Sequence, residues 1–447
     1  MTAIPLPKGE AVVGSDTEKA IFSKVDWHIL PLLLVAYCFA YVDRINVGFA
    51  QLQMKHDLHF GDHIFALGAG LFFVGYFLFE VPSNLVLEKI GARKTILRIM
   101  LCWGACATAM AWVTTPWQFY ALRFLLGAFE AGFFPGAILY FTFWYPPERR
   151  GRVIATFMTA TAIAGILVGP LNGALMKFGQ GMLGYHGWQW MFIVNGAPCI
   201  LIGVLAYLLL SDGPAKAAWL TDQEKRILIE RLARDRVAAP PAGHGALRTL
   251  LGDPKIYVLS TVYFLMSGAV YALLFWAPSM IASWGVADVF HVGLLKALPS
   301  IVGAIGMVLI GRSSDHMNDR RWHYVFCVGL IAVNLVAMGF ANDDLVWSMI
   351  FYCLGSIGIA SLTPLFFAFV SEYLSKETAA AGIALISSLG NLGPALTPSI
   401  STWILNATGQ NRYSLFFIVA LYVVAAIIMA VAAQPGRQAT GGTTRPL

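Results

Sequence analysis

The stretch ILPLLLVAYCFAYVDRINVGFA, residues 29–50, is an apolar run interrupted by the adjacent Asp43 and Arg44. It is long enough to cross a bilayer, since a spanning helix needs about 20 mainly apolar residues. This span lies near 28–50, and others follow near 64–87, 95–114, 117–142, 153–176, 189–210, 257–281, 289–311, 323–341, 345–370, 380–405 and 413–433. We therefore predict an all-α membrane protein of twelve transmembrane helices in two six-helix halves.

The composition supports a lipid environment. Of the 447 residues, 58% are hydrophobic and 12% are charged, whereas soluble domains have about 25% charged residues. A net charge of +6 is compatible with nucleic-acid binding, but the basic residues form short clusters between apolar runs. That pattern is typical of cytoplasmic loops, so we expect the lipid bilayer as a partner and no nucleic acid.

A long polar segment divides the chain. Residues 211–255 begin an amphipathic helix at Thr221 and contain a break at Pro240 and Pro241. We predict an N-terminal half at 1–210, a cytoplasmic linker at 211–255 and a C-terminal half at 256–447.

The positive charge of short loops sets the orientation of a membrane protein. The connections after spans two, four and eight carry clusters of cations: Lys89, Arg93, Lys94 and Arg98, then Arg149, Arg150 and Arg152, then Arg312, Arg320 and Arg321. The opposite loops are poor in cations. We predict a multi-pass protein of the inner (plasma) membrane with both termini in the cytoplasm. Residues 1–24 lack the apolar segment of a cleaved signal, so we expect the first span to act as an uncleaved anchor.

The two halves share a loop pattern. Glu88 and Arg93 flank Gly91 after span two, and Asp315 follows Gly311 after span eight. An acid and a glycine beside a basic cluster at equivalent places indicate parallel repeats. We predict gating or structural roles for Glu88, Arg93 and Asp315, and positive-inside charge alone is the alternative.

Several ionisable residues fall inside the spans, where an unpaired charge costs a few kcal/mol, about 3. Asp43 and Arg44 could end a helix, form an internal salt bridge or form a binding and proton site. Arg123 and Glu130 are two helical turns apart, about 10 Å, so each must face other helices. A purely structural network is the alternative.

Glu80 lies close to the cytoplasmic end of span two, and we expect it to hold that helix against the loop of span four; a titrating site is the alternative. The second half has fewer buried charges, because Lys296 and Glu372 lie near the ends of spans. The charged chemistry is therefore predicted in the first half.

Several sequence motifs resemble those of known membrane transporters. The loop EKIGARK (88–94) resembles that of the major facilitator superfamily, although Asn84 and Glu88 stand where the family usually has glycine and aspartate. The more specific matches are YVDRINVG (41–48), residues 75–84, residues 123–135, WYPPERRGR (144–152), GWQWMF (187–192) and FWAP (275–278). Together they are similar to the anion:cation symporter family, in particular its tartrate, 4-hydroxyphenylacetate and phthalate permeases.

The resemblance implies uptake of a small organic anion with protons by alternating access, with no cofactor and with a monomer as the working unit. In such symporters, the positions of Arg44 and Asp43 bind the substrate carboxylate and titrate, respectively. Glu130 matches a second proton site, and Arg123 the arginine linked to it. Thr161 matches a polar substrate position. Ser387 stands where many relatives have asparagine, and the later asparagine, which the sequence retains, is Asn391.

The residues themselves suggest a compatible mechanism. A guanidinium presents a planar fork suited to a carboxylate. Protonation of Asp43 and Glu130 would release the arginines for the substrate. Aromatic side chains are candidates for selectivity because they combine flat walls with directed hydrogen bonds, and packing is the alternative for each: Tyr76, Tyr263, Tyr271 and Trp276.

Two other classes remain open. A proton-coupled exporter, or antiporter, is suggested by the glycine–proline element of residues 165–173. A membrane-embedded enzyme would need a nucleophile with a base or a metal cluster. Only His56, His59 and His63 are spaced for a metal, and a solvated loop is the simpler reading. We therefore expect no catalytic or metal site.

Overall fold

The fold is an all-α bundle. The structure, a computed structural model, describes residues 15–238, 250–317, 319–341, 344–374 and 379–432. These residues contain 12 segments long and apolar enough to cross a membrane. Each of them overlaps one of the predicted spans, so the twelve-span prediction is confirmed.

The helices of the first half are α1 (Ser15–Asp57), α2 (Asp62–Ile90), α3 (Ala92–Ala109), α4 (Pro116–Glu130), α5 (Phe133–Thr142), α6 (Pro147–Phe178) and α7 (Gly187–Leu209). Helix α8 (Asp222–Ala238) follows. The second half contains α9 (Pro254–Ser283), α10 (Val289–Met317), α11 (Arg321–Gly339), α12 (Leu345–Tyr373), α13 (Ala379–Gly390), α14 (Gly393–Thr408) and α15 (Asn411–Ala432).

Helix α8 begins where the sequence predicts an amphipathic helix. The Thr221 hydroxyl accepts from the Glu224 backbone, and the Glu224 carboxylate accepts from the Thr221 backbone, which is a capping box. Glu224 also bonds Lys24 of α1 at 3.0 Å, and Arg231 bonds Glu148 at 3.2 Å. The helix is therefore docked on the first half. The predicted break at Pro240 and Pro241 lies outside the described residues.

Two predicted spans are broken near their middle. Span four divides into α4 and α5 at Gly132, whose φ of 88° is the left-handed conformation that favours glycine. A Cβ there would also collide with Ser83. Span eleven divides into α13 and α14 at Asn391 and Leu392. Broken helices expose unpaired backbone groups, and transporters place such breaks at binding sites.

The spans alternate between two ends of the bundle. We call the end with the basic loops, where α2 ends and α6 begins, the basic end, and the opposite end the far end. The halves meet closely toward the far end: a Cβ added to Gly48 would overlap the Phe275 carbonyl, and one added to Gly70 would overlap that of Ala395. Lys177 Nζ lies 2.5 Å from Asp288 Oδ2 across the halves. The bundle is thus closed at the far end.

Candidate functional site

A buried ion pair forms the centre of the candidate site. Arg44 of α1 contacts Glu130 Oε1 through Nη2 at 2.6 Å and Nε at 2.7 Å. Glu130 is the last residue of α4, at the break in span four. The Glu130 side chain is fully buried, whereas 14% of the Arg44 side chain is exposed. The partly exposed Arg44 is therefore held in an ion pair by the buried carboxylate of Glu130.

Two aromatic rings of α2 face the arginines. The guanidinium carbon of Arg44 lies 5.0 Å from the Tyr76 ring centre and 5.8 Å from that of Phe72. Arg123 lies 5.1 Å from the same Phe72 ring. Cation–π contacts stabilise a guanidinium without neutralising it. The two arginines therefore share one aromatic neighbour that leaves their positive charge in place.

Arg123 makes few polar contacts. It is 1% exposed, and its Nε donates to the Gly68 carbonyl at 3.4 Å. Its Nη2 and the Oε2 of Glu130 are buried with no hydrogen-bond partner in the described part of the chain. An unpaired buried donor and acceptor cost free energy, and their presence is a reason to look for a ligand or water there.

Asp43 faces away from its neighbour Arg44. Its Oδ2 accepts from Trp103 Nε1 at 2.6 Å, and its Oδ1 accepts from Asn46 Nδ2 at 3.0 Å. Asn46 in turn accepts from Asn172 of α6 at 2.8 Å. Helix α1 continues to Asp57. The pair is therefore neither a helix end nor an internal salt bridge, and Asp43 belongs to a buried polar network of the first half.

Several of these residues were not predicted from the sequence. Trp103 and Phe72 were indistinguishable from packing aromatics. A detectable signal did exist for Asn172 and Asn195, because each is an isolated amide within an apolar run. They bond each other at 2.8 Å and are fully buried. Buried polar groups are normally hydrogen-bonded, so the two amides could have been used to predict a buried hydrogen-bond network.

The predicted site residues do not all meet. Tyr271 packs edge-on against Phe73, with the two ring centres 4.7 Å apart. Asn391 lies in the break between α13 and α14, and the Ser387 carbonyl accepts its backbone N–H. The Thr161 hydroxyl donates to the Met158 carbonyl of its own helix. Tyr263 stacks on Phe366, 5.5 Å away. Of the four predicted aromatic residues, Tyr76 is the one whose ring faces Arg44 in the described part of the chain.

Trp276 lies at the far end of the bundle. It lines a small far-end cavity of about 130 Å³ with polar residues that include Gln51, Lys55 and Asp62. The backbone of Phe275, one residue earlier, packs on Gly48. Adjacent residues of a helix project about 100° apart, so Trp276 points to the other side of this contact. Trp276 is not among the aromatic residues whose rings face the arginines, and its role in selectivity stays a prediction.

The predicted gating residues have separate partners. The Glu80 carboxylate interacts with the Ser388 hydroxyl of α13, in the other half. The α2 residue that lies beside the break in span four is Ser83 and not Glu80. Arg93 donates to the Tyr207 carbonyl at the end of α7. Asp315 pairs with Arg320 at 2.6 Å. The prediction for Glu88 concerns a side chain outside the described part of the structure.

The remaining sequence features are structural. The described residues contain no group of three His, Cys, Asp or Glu side chains that could hold a metal ion, so His56, His59 and His63 do not form one. In the element of residues 165–173, Gly169 and Gly173 pack against Gly293 of α10. This element therefore joins the two halves, which explains its glycines without invoking export.

Comparisons with known proteins identify the family. The sequence profile of the Major Facilitator Superfamily matches residues 33–348 and 281–446. An Agrobacterium vitis protein named "Putative tartrate transporter" is 42% identical over 435 residues, 97% of this chain and 99% of that protein. A "Quinolone resistance transporter" of Acinetobacter baumannii is 39% identical over 407 residues, 90% of this chain and 92% of that protein.

The fold agrees with a solved transporter. The crystal structure of a bacterial homolog to human lysosomal transporter Spinster, inward-facing and unoccupied, matches with a TM-score of 0.75 at 17% identity, over 90% of this chain and 96% of that one. The chain belongs to the major facilitator superfamily. It is a multi-pass membrane transporter of small molecules and not an enzyme. Its relatives are consistent with the anion:cation symporter family that the sequence resembles.

Proposed function

We propose that the protein imports a small organic anion, a carboxylate such as tartrate, a sugar acid or an aromatic acid, together with protons. The Arg44–Glu130 ion pair carries this proposal. A substrate carboxylate requires the same guanidinium atoms that Glu130 occupies. Protonation neutralises Glu130 and releases Arg44, so that binding of the anion and binding of a proton favour each other.

Asp43 is the second proposed proton carrier. Its two oxygens accept from Trp103 and Asn46, and through Asn46 the network reaches Asn172 of α6. Helix α6 also packs on α10 of the second half at Gly169. The charge of Asp43 thus acts on the helix that joins the halves. We propose that this connection makes the movement between the two open states depend on the proton.

The proposed orientation follows the loop charges. We place the protein in the inner (plasma) membrane. The basic end and both termini then lie in the cytoplasm, and the far end lies outside. The closed far end then corresponds to a state in which Arg44 is reached from the cytoplasm. We further propose that one chain suffices for transport, because the candidate site is assembled within a single chain.

Transport by purified protein in proteoliposomes tests the proposal. Labelled tartrate, a sugar acid, phthalate and 4-hydroxyphenylacetate are offered with and without an inward proton gradient. We expect at least one of them to accumulate only with the gradient, and Arg44→Ala to lose its binding. Arg226→Ala, in the linker helix, is the matched control. Wild-type binding of the carboxylate by Arg44→Ala would refute the role of Arg44.

Proton-coupled export is a second candidate, favoured by the relative named for quinolone resistance. An exporter of cations and an importer of anions require opposite electrostatics at the site. Two arginines within 6 Å of Phe72 repel a lipophilic cation. Efflux of such a cation against its gradient from loaded vesicles, with no carboxylate accumulated in the reverse direction, would establish this second function and exclude the first.

A further inference from the structure

Lys296 is a buried cation that the proposed mechanism does not use. It lies in α10 of the second half and is 2% exposed. In the described part of the chain, no acceptor lies within hydrogen-bond or ion-pair distance of it. A buried ammonium without a partner costs several kcal/mol, of the order of 3 or more, so such residues in membranes usually have a function.

Lys296 points toward the interior of the bundle. On one side of it, Gly293 and Ser300 of the same helix face α6. On the other side, Pro299 and Gly303 face α12, where the Ser356 hydroxyl donates to the Pro299 carbonyl at 2.7 Å. Because side chains repeat every 3.6 residues along a helix, Lys296 projects between these two contacts.

The depth of Lys296 in the bundle matches that of Arg44. A Cβ added to Gly169 of α6 would lie 3.3 Å from the Cβ of Lys296. The neighbouring Val168 packs with Ile45, the residue after Arg44. Both cations therefore lie at the same level of α6, within about one helical turn or 5 Å along the axis.

Aromatic residues of both halves lie near Arg44. The Tyr76 ring of α2 lies 5.0 Å from the Arg44 guanidinium, and Tyr271 of α9 packs edge-on against Phe73 of α2, with the ring centres 4.7 Å apart. Tyrosines combine flat walls with hydroxyl donors, which suits a small polar ligand.

A surface-directed lysine is the competing explanation. Side chains of a helix lean toward its N-terminus, so Lys296 would lean toward the far end and Asp288. However, Asp288 is bonded by Lys177 and by the backbone N–H groups of Phe290 and His291. In the described part of the chain Asp288 forms no ion pair with Lys296, and the Lys296 side chain as a whole is buried.

We propose that Lys296 binds a second anionic group of the substrate, and that the preferred substrate is a dicarboxylate held by Arg44 of the first half and Lys296 of the second. This inference rests on the proposed function, because it takes Arg44 as the first anchor. A dianion that bridges the halves compensates the charge of Lys296. It also draws the halves together at the level where alternating access requires them to move.

Matched pairs of ligands test this proposal. Each dicarboxylate (tartrate, succinate or phthalate) is paired with its monoamide, which has the same size and one negative charge. Binding is measured by calorimetry on the purified full chain. We expect the wild type to prefer at least one dicarboxylate over its monoamide at least tenfold. Lys296→Met should bind the two equally, through loss of dicarboxylate affinity alone, and Lys296→Arg should keep the preference.

The outcomes separate the two proposals. Preference retained in Lys296→Met, or equal loss of both affinities, refutes the role of Lys296. Binding of monocarboxylates without any preference for dicarboxylates refutes it too, yet leaves the proposed function intact. Binding of no carboxylate by the wild type refutes the proposed function itself. Lys216→Met at the basic end is the control for loss of one positive charge.

A second readout excludes a purely structural lysine. The melting temperature of Lys296→Met without ligand should equal or exceed that of the wild type, since an unpaired buried charge is removed. A lower melting temperature would show that the ammonium stabilises the fold and would contradict a ligand-binding role.

Discussion

Arg44 is bonded to Glu130, 86 residues away, and not to Asp43, its neighbour in the chain. The contact joins α1 to the end of α4 at a break in span four. It makes one carboxylate the competitor of the proposed substrate for one guanidinium, because the two would use the same donor atoms. The other carboxylate is left to a separate hydrogen-bond network.

Glu130→Gln should uncouple transport from protons. Glutamine keeps the shape of the side chain but neither gains nor loses a proton, so Arg44 is no longer released by protonation. We expect uphill accumulation of the carboxylate substrate to fall at least tenfold, while exchange across the membrane at equal pH continues. Proteoliposome uptake and counterflow measure the two activities.

Glu148→Gln is the matched control for that change. Glu148 lies at the basic end, where it pairs with Arg231 of the linker helix, and 63% of its side chain is exposed. We expect it to retain coupled uptake, because exposed pairs contribute little. Undiminished accumulation in Glu130→Gln would refute the proton role of Glu130.

Trp103→Phe should impair the Asp43 network. Trp103 Nε1 donates to Asp43 at 2.6 Å in a fully buried position. Hydrogen bonds to charged groups are worth about 1.5–3 kcal/mol, and the lost donor leaves Asp43 short of one partner. We expect coupled uptake to fall about tenfold or more.

Trp188→Phe provides the comparison, since Trp188 Nε1 donates to Asp57 at 2.8 Å near the far end. Both substitutions remove the same atoms, so equal uptake by the two variants would contradict a special role for the bond to Asp43. The measurement is initial uptake rate per folded protein, with folding checked by gel filtration.

How much the sequence predicted depends on the range of the interaction. Spans were predictable because the apolar runs are local, and a bilayer imposes their length. The partners of Arg44 and Asp43 were not predictable, because contacts between residues far apart in the chain depend on how the helices pack; Arg44 and Glu130 are 86 residues apart. The position of Trp276 at the far-end cavity was not predictable either, because periodicity cannot say which face of α9 meets Gly48. The break at Gly132 was not predictable from the glycine alone, since glycines in membrane helices also serve close packing.

The Lys177–Asp288 pair should hold the far end closed across the physiological pH range. The hydrogen bond from Lys177 lowers the pKa of Asp288 from its usual value. A lowered pKa means that the pair is present above the ordinary range near 4 and is lost only as the pH falls through the lower value. The pH dependence of uptake between 5.5 and 7.5 should therefore come from other groups.

Asp288→Asn tests this assignment. We expect a modest change in uptake, less than tenfold because the pair is exposed, and we expect the same ratio to wild type at pH 5.5 and at pH 7.5. A ratio that changes with pH over this interval would show that the pair itself titrates there, contrary to the direction of the Asp288 shift.

Gly48→Ala should prevent full closure of the far end. The added methyl group would overlap the Phe275 carbonyl, and backbone contacts relax poorly, so we expect a cost of about 1–3 kcal/mol for the closed state. Such a cost reduces transport about 5-fold to 150-fold. Trp276→Cys, introduced in the far-end cavity, should then react faster with a thiol reagent that cannot cross the membrane.

Gly329→Ala is the control, because a Cβ there has no neighbour within 4 Å. Wild-type uptake and labelling in Gly48→Ala would mean that this contact is not what closes the far end.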